Sequence, residues 1–251
     1  MKHYLNFCSI LALAVTAVAC SGTSILTDTD LRPSTVSADS LIQMLPDYTT
    51  SLLTTQGSGR AIVSQPGNSD RVTLEFMSTR DASLVTIRNS VGIEGGKILV
   101  KDDSVLVYNI IDKVAEISAT GSNSGSMVGS LASVNLLRIF NFTVAASDIS
   151  EILESDRHYI LVLADESRVI IEKGSHFVTE VIRPDFTDHP YRKIEYEGYA
   201  LLNSFYLPRK ITIFSADGQS RVTFLVQRLE ANPHLPELKL DIPANIPVYR
   251  L

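Results

Sequence analysis

Several stretches of this chain alternate as β-strands do, yet they are apolar on both sides of the alternation. In residues 105–110, Val105 and Val107 share one face with Asn109, while Leu106, Tyr108 and Ile110 share the other. In residues 159–163, Ile160 and Val162 oppose Tyr159, Leu161 and Leu163, and further on Val169 and Ile171 oppose Ile170. An antiparallel sheet with one wet face shows clean apolar–polar alternation. These strands do not, so something must cover their second face. Two helical stretches are available, residues 41–45 and 131–142. Short helices leave part of a wide curved sheet uncovered, and the remainder is an apolar cavity, the usual form of a ligand site. The competing outcome is that the helices pack fully and leave no cavity.

The order of elements follows from local signals. Residues 21–37 are rich in Ser, Thr and Asp and read as a flexible tether. A short helix follows, capped by Ser37 or Asp39, striped by Leu41, Ile42, Met44 and Leu45, and stopped by Pro46. Strands are expected over residues 52–64, 72–77, 84–88, 97–101, 105–110 and 114–118, with turns at Pro66-Gly67 and Asp102-Asp103. Residues 120–130 are Gly- and Ser-rich and read as a mobile connector. Leu131, Val134, Leu137, Ile139 and Phe140 then fall at helical spacing, and residues 147–153 look like another short helix. Strands resume over 159–163, 168–172, 176–182, 193–202 and 210–215. Asp217-Gly218 turns into a strand over 221–229, and an extended tail with Pro243 and Pro247 closes the chain. The two β-rich halves are expected to form one continuous antiparallel sheet.

The beginning of the chain carries an address. Lys2 and His3 precede an almost unbroken apolar run over residues 5–18, which ends in Ala17-Val18-Ala19-Cys20-Ser21. A charged start, a short apolar stretch and small residues before a cut describe a secretory signal. The run is shorter than the roughly 20 apolar residues of a membrane-spanning helix. The motif resembles the lipobox of bacterial lipoproteins, with Ala17 standing where Leu is usual. That resemblance implies lipid on Cys20, and Ser21 after it favours the outer membrane. Cys8 would leave with the leader, so the mature chain keeps one cysteine and forms neither a disulfide nor a thiolate metal cluster. A net charge of −6 without a basic cluster argues against a nucleic-acid partner. No second apolar run is long enough to span a membrane, which places the body in the periplasm.

Catalytic patterns are missing. His158, His176, His189 and His234 are not paired at metal-ligand spacing. Asp185, Asp188 and His189 read as a solvated turn. Gly121-Ser122-Asn123-Ser124-Gly125 has Asn where a nucleophile elbow needs Ser. Glu151 with Glu154, and Glu195 with Glu197, read as solvent-side charge. No enzyme activity, cofactor or metal is expected.

Several short segments carry a family likeness. They are Ser90-Val91-Gly92-Ile93-Glu94, Lys97-Ile98-Leu99-Val100, Asp103-Ser104-Val105, Tyr206-Leu207-Pro208-Arg209-Lys210-Ile211 and Leu240-Asp241-Ile242-Pro243. With the order of elements, they resemble the lipoprotein carriers LolA and LolB, and most of all an uncharacterised LolB-like lipoprotein family, domain of unknown function 4292. The resemblance implies a mainly β (α+β) fold, a single curved antiparallel half-barrel sheet with a short helical lid. It divides the chain into a signal peptide (1–19), a tether (20–37) and a half-barrel domain (38–251). It also implies an apolar concave side that holds acyl chains. From alternation, the side chains placed there are Leu74, Phe76, Ile87, Leu99, Val107, Leu161, Ile171, Tyr196, Ile213 and Phe224. In the family's outer-membrane acceptor an apolar residue on a protruding loop aids delivery into the membrane; the matching loop is residues 90–96, with Ile93 at its tip and Gly95 and Gly96 to let it turn. The expected partners are the membrane through Cys20, a lipid or lipoprotein acyl chain, and a soluble periplasmic carrier. The alternative is a structural or interaction lipoprotein of an envelope complex, with a filled core.

Overall fold

The structure is a computed structural model that describes residues 31–119, 134–184 and 191–251. The described chain begins at one edge of the sheet and then enters its middle. β1 (Arg32–Pro33) is a short edge piece, and α1 (Ala38–Met44) follows it. β2 (Thr54–Gln65) and β3 (Asn68–Thr79) then form a long hairpin. β4 (Ala82–Arg88), β5 (Glu94–Lys101), β6 (Ser104–Asn109) and β7 (Val114–Ala119) continue outward as a meander. The chain next passes through α2 (Leu136–Phe140) and a 3-10 turn (Ala146–Asp148) and reaches the opposite edge at β8 (Ile149–Glu154). It returns inward through β9 (His158–Leu163), β10 (Arg168–Glu172), β11 (Val178–Ile182) and β12 (Tyr191–Glu197). β13 (Ala200–Leu202) and β14 (Phe205–Leu207) make a separate hairpin. β15 (Lys210–Ser215) and β16 (Arg221–Ala231) complete the second meander, and β17 (Val248–Arg250) lies parallel on β7.

Fifteen of these strands make one open, curved sheet that does not close into a barrel. Its two meanders join where β16 pairs antiparallel with β2, through Val222↔Val63, Phe224↔Ala61 and Leu229↔Gly57. Period-two alternation then fixes which side chains meet. Val63, Val222, Ile213, Ile194, Val181, Val169 and Leu161 are partners across successive strands, and all are buried on the inner face. Met77, Leu84, Leu99 and Leu106 form a second row in the same way, half-buried on the outer face. The double apolar pattern is thus two rows on two faces.

Three expectations change. Of residues 147–153 only the first two are helical, closing the 3-10 turn, and the rest are β8: Ile149, Ile152 and Leu153 fit helical spacing only because a bulge between Ile149 and Glu151 breaks the strand alternation. The helix expected over 131–142 spans Leu136–Phe140, with residues 131–133 outside the described residues. The end of the supposed tether is fixed. Arg32 and Pro33 pair with Glu154 and Leu153, and the Ser34 amide donates to the Ile152 carbonyl at 2.9 Å. Pro33, with no N–H to donate, suits an edge strand.

Glu154 holds that edge. Lys173 Nζ lies 3.1 Å and Arg32 Nε 3.0 Å from its carboxylate, and Ser34 donates to it as well. These partners, Lys173 first, hold its pKa below the ordinary 4.5. A lowered folded pKa means a contribution present above the unfolded value and lost as pH falls through the folded one. The protection of the Ser34 amide, its exchange rate relative to the intrinsic rate at each pH, should therefore fall between about pH 5 and about pH 3. Glu154→Gln should show the low protection at both pH values; unchanged, pH-independent protection in the native protein would refute the assignment.

Candidate functional site

The inner face is deep at its centre because β2 carries glycine there. A Cβ at Gly57 would lie 2.7 Å from the Phe76 ring, and one at Gly59 would lie 2.7 Å from the Phe224 ring. The missing side chains leave room for both rings. The Phe76 ring lies tilted against Phe140 of α2 at 5.5 Å and edge-on to Phe224 at 5.9 Å, centroid to centroid. α2 therefore sits on the sheet through Leu136, Leu137, Ile139 and Phe140, all buried.

Beneath α2 a cavity of about 40 Å³ remains. Leu136 and Ile139 roof it, and Val63, Leu74, Ile87, Ile213, Val222 and Phe224 line its floor and walls. Its lining is apolar throughout. A water occupies about 30 Å³ of liquid, and voids of this chemistry stay dry. The void is too small for an acyl chain, so a chain enters only if α2 moves.

α2 has five residues, far below the roughly 12 to 15 needed for stability alone. Its four buried side chains and its polar ends hold it. At one end Asn135 accepts from the Leu137 amide at 2.9 Å and donates to the carbonyls of Thr79 (2.9 Å) and Arg80 (3.2 Å). At the other, Asn141 accepts from the Tyr48 amide at 3.1 Å. The segment after α1 is fixed in turn: Arg80 donates to the carbonyls of Tyr48 and Leu52, and the Tyr48 ring meets Phe205 of β14 edge-on at 5.1 Å. Phe177, Tyr199 and Tyr206 stack beside it. Tyr199 donates to the Val178 carbonyl at 2.7 Å, and burial raises its pKa.

On the other side of Ile139 lies a cleft of about 600 Å³. Arg80, Arg138, Arg183 and one carboxylate, Asp81, line it, over a floor of Ile194 and Tyr196. Arg183 binds Asp165 at 3.0 Å and Ser167 at 3.2 Å, and its buried Nε has no hydrogen-bond partner. The Tyr196 hydroxyl is buried and likewise unpartnered among the described residues. Burial pushes its pKa well up, so it stays a protonated donor. An unsatisfied buried hydroxyl costs about 1–3 kcal/mol.

The residues expected at the concave side fall into groups. Leu74, Ile87, Ile213 and Phe224 line the cavity. Phe76, Leu161, Ile171 and Tyr196 belong to the same inner-face core, with Tyr196 reaching the cleft. Val107 packs on a satellite cluster of Ile98, Val100 and Val105. Leu99 is a correction: it lies on the outer face, and its neighbour Ile98 faces the cavity. In residues 97–101 Leu99 shares its phase with Lys97 and Lys101, while Ile98 and Val100 form the wholly apolar phase, so the alternation itself places Ile98 inward. The cleft arginines went unnoticed because residues 80, 138 and 183 are far apart in sequence and carry no motif.

Ile93 is 62% exposed at the tip of the β4–β5 hairpin, with Val91 at 76%. Ile111, on the neighbouring β6–β7 turn, is 73% exposed, and its Cδ1 is 3.6 Å from where a Cβ on Gly95 would stand. Both neighbouring turns thus carry exposed apolar side chains. Cys20, residues 120–130, Asp185, Asp188 and His189 lie outside the described residues.

No family model matches the sequence, and no curated protein matches it. Solved structures do. A LolA superfamily protein from Nitrosomonas europaea superposes with a TM-score of 0.54 at 13% identity, covering 80% of this chain and 96% of its own. The fold is LolA-like. A lipoprotein-sorting domain described for the outer membrane of Vibrio parahaemolyticus shares this LolA-type fold, at a TM-score of 0.56 and 12% identity, covering 80% and 92% of the two chains. So does a protein of the domain of unknown function 1329 family from Desulfovibrio piger, at 0.58 and 13%, with the same coverage.

Proposed function

We propose that this chain is a lipid-anchored periplasmic carrier whose half-barrel sheet holds an acyl chain of a lipid or lipoprotein beneath α2. The observation that carries the reading is the wholly apolar void between a five-residue helix and a continuous apolar inner face. Each methylene buried there contributes about 0.8 kcal/mol. A chain of ordinary length thus offsets the displacement of one short helix. The LolA-type fold of a lipoprotein-sorting domain supports the same reading. In this account Cys20 anchors the protein in the outer membrane and a soluble periplasmic carrier supplies the cargo. No catalysis is involved. The relation to the LolB-like family of unknown function 4292 is part of the proposal.

The small size of the void, about 40 Å³, favours a second reading. In it the core is filled and the protein serves as an interaction module of an envelope complex. Mass spectrometry of the purified, unlipidated protein separates the two. The carrier yields co-purified acyl species; a dry protein that captures one envelope partner is the interaction module.

The exposed side chains of Val91, Ile93 and Ile111 fit membrane contact during delivery. Ile93→Glu should shift folding stability by no more than about 0.5 kcal/mol, as an exposed change. It should impair delivery of bound lipid to vesicles in a reconstituted transfer assay. Undiminished delivery would remove Ile93 from the mechanism.

A further inference from the structure

We propose that the cleft beside α2 is a headgroup site for an anion, and that the preferred occupant is an amphiphile with a carboxylate or phosphate head on an apolar chain. This rests on the carrier reading and adds the class of ligand. Three arginines, Arg80, Arg138 and Arg183, line the cleft against one carboxylate residue, Asp81, and Arg80 is held there by its bonds to the Tyr48 and Leu52 carbonyls. Among the described residues neither Arg80 nor Arg138 is ion-paired. Arg183 is steadied by Asp165 and Ser167, which leaves its buried Nε without an acceptor. The Tyr196 hydroxyl, also buried and unpartnered, offers a second donor at the floor. An oxyanion supplies the acceptors these groups lack, through charge-assisted hydrogen bonds.

The cleft also leads to the cavity. Ile194 and Tyr196 on its floor are the cross-strand partners of Ile213 and Ile211, which line the void under α2. One interstrand step, about 4.8 Å, separates the two floors. Ile139 borders both spaces. A head held by the arginines therefore directs its chain beneath the helix. Arg138 sits on α2 itself, so head binding and helix displacement involve the same element. A neutral glyceride has no charge to satisfy these groups.

The test compares palmitate with methyl palmitate on the purified protein, and inorganic phosphate alone by calorimetry. Palmitate should bind about ten-fold or more tightly than the ester. Arg138→Gln, at an exposed position, should erase that preference. Tyr196→Phe should weaken palmitate binding while raising the melting temperature, because it removes an unsatisfied hydroxyl. Equal affinity for acid and ester overturns the headgroup site and leaves the carrier reading standing. Binding of neither overturns both. Inorganic phosphate binding as tightly as palmitate assigns the cleft to a free anion and overturns the amphiphile.

Discussion

Gly59→Ala is expected to destabilise the protein by about 3 kcal/mol or more, the upper end for overpacking. A methyl at this position would lie 2.2 Å from the Leu225 carbonyl oxygen and 2.7 Å from Cε2 of Phe224. The first obstacle is backbone and cannot rotate away. The second is a ring fixed in the core, 4% exposed. Relief requires β2 and β16 to separate, and their pairing is what joins the two meanders. Urea unfolding measures the effect. Gly174→Ala is the control: nothing stands within 4 Å of its Cβ, so the change should be neutral or slightly stabilising. Equal midpoints for the two variants would contradict the close packing described at the centre of the sheet.

Asn135→Ala should cost about 2–3 kcal/mol and should also speed the entry of an acyl probe. The alanine removes a helix cap, worth about 1 kcal/mol. It also strips the donor from the Thr79 and Arg80 carbonyls in a buried setting, where unmade hydrogen bonds cost about 1–3 kcal/mol. Asn135→Asp keeps the acceptor for the Leu137 amide but loses the donor, so it should fall on the same side as alanine. Stopped-flow mixing with a fluorescent fatty acid reads the entry rate. If α2 gates the groove, both variants take up the probe faster than the native protein. If α2 is fixed core, stability falls and the uptake rate stays the same.

Much of the architecture was legible because strands announce themselves locally. Alternation and turn residues such as Asp102-Asp103 and Asp217-Gly218 place most strands, and Ser37 with Pro46 brackets α1. Where local signals conflict with pairing, pairing decides. The bulge in β8 made a strand look helical, and Leu99 was placed inward although Lys97 and Lys101 share its phase in β5. The site was half legible. Its apolar side follows from the excess of apolar faces. Its polar side brings together Arg80 from the β3–β4 turn, Arg138 from α2, Arg183 just after β11 and Tyr196 from the far end of β12. Only the folded sheet assembles that set.

The central claim is that an acyl chain lies between α2 and the inner face of the sheet. A fatty acid with a photoreactive group at its methyl end, bound and then irradiated, tests it directly. The account predicts adducts on Leu74, Ile87 or Val222 beneath the helix, competed away by unlabelled fatty acid. Adducts confined to the outer-face row of Met77, Leu84, Leu99 and Leu106, or no competed adduct at all, would contradict it.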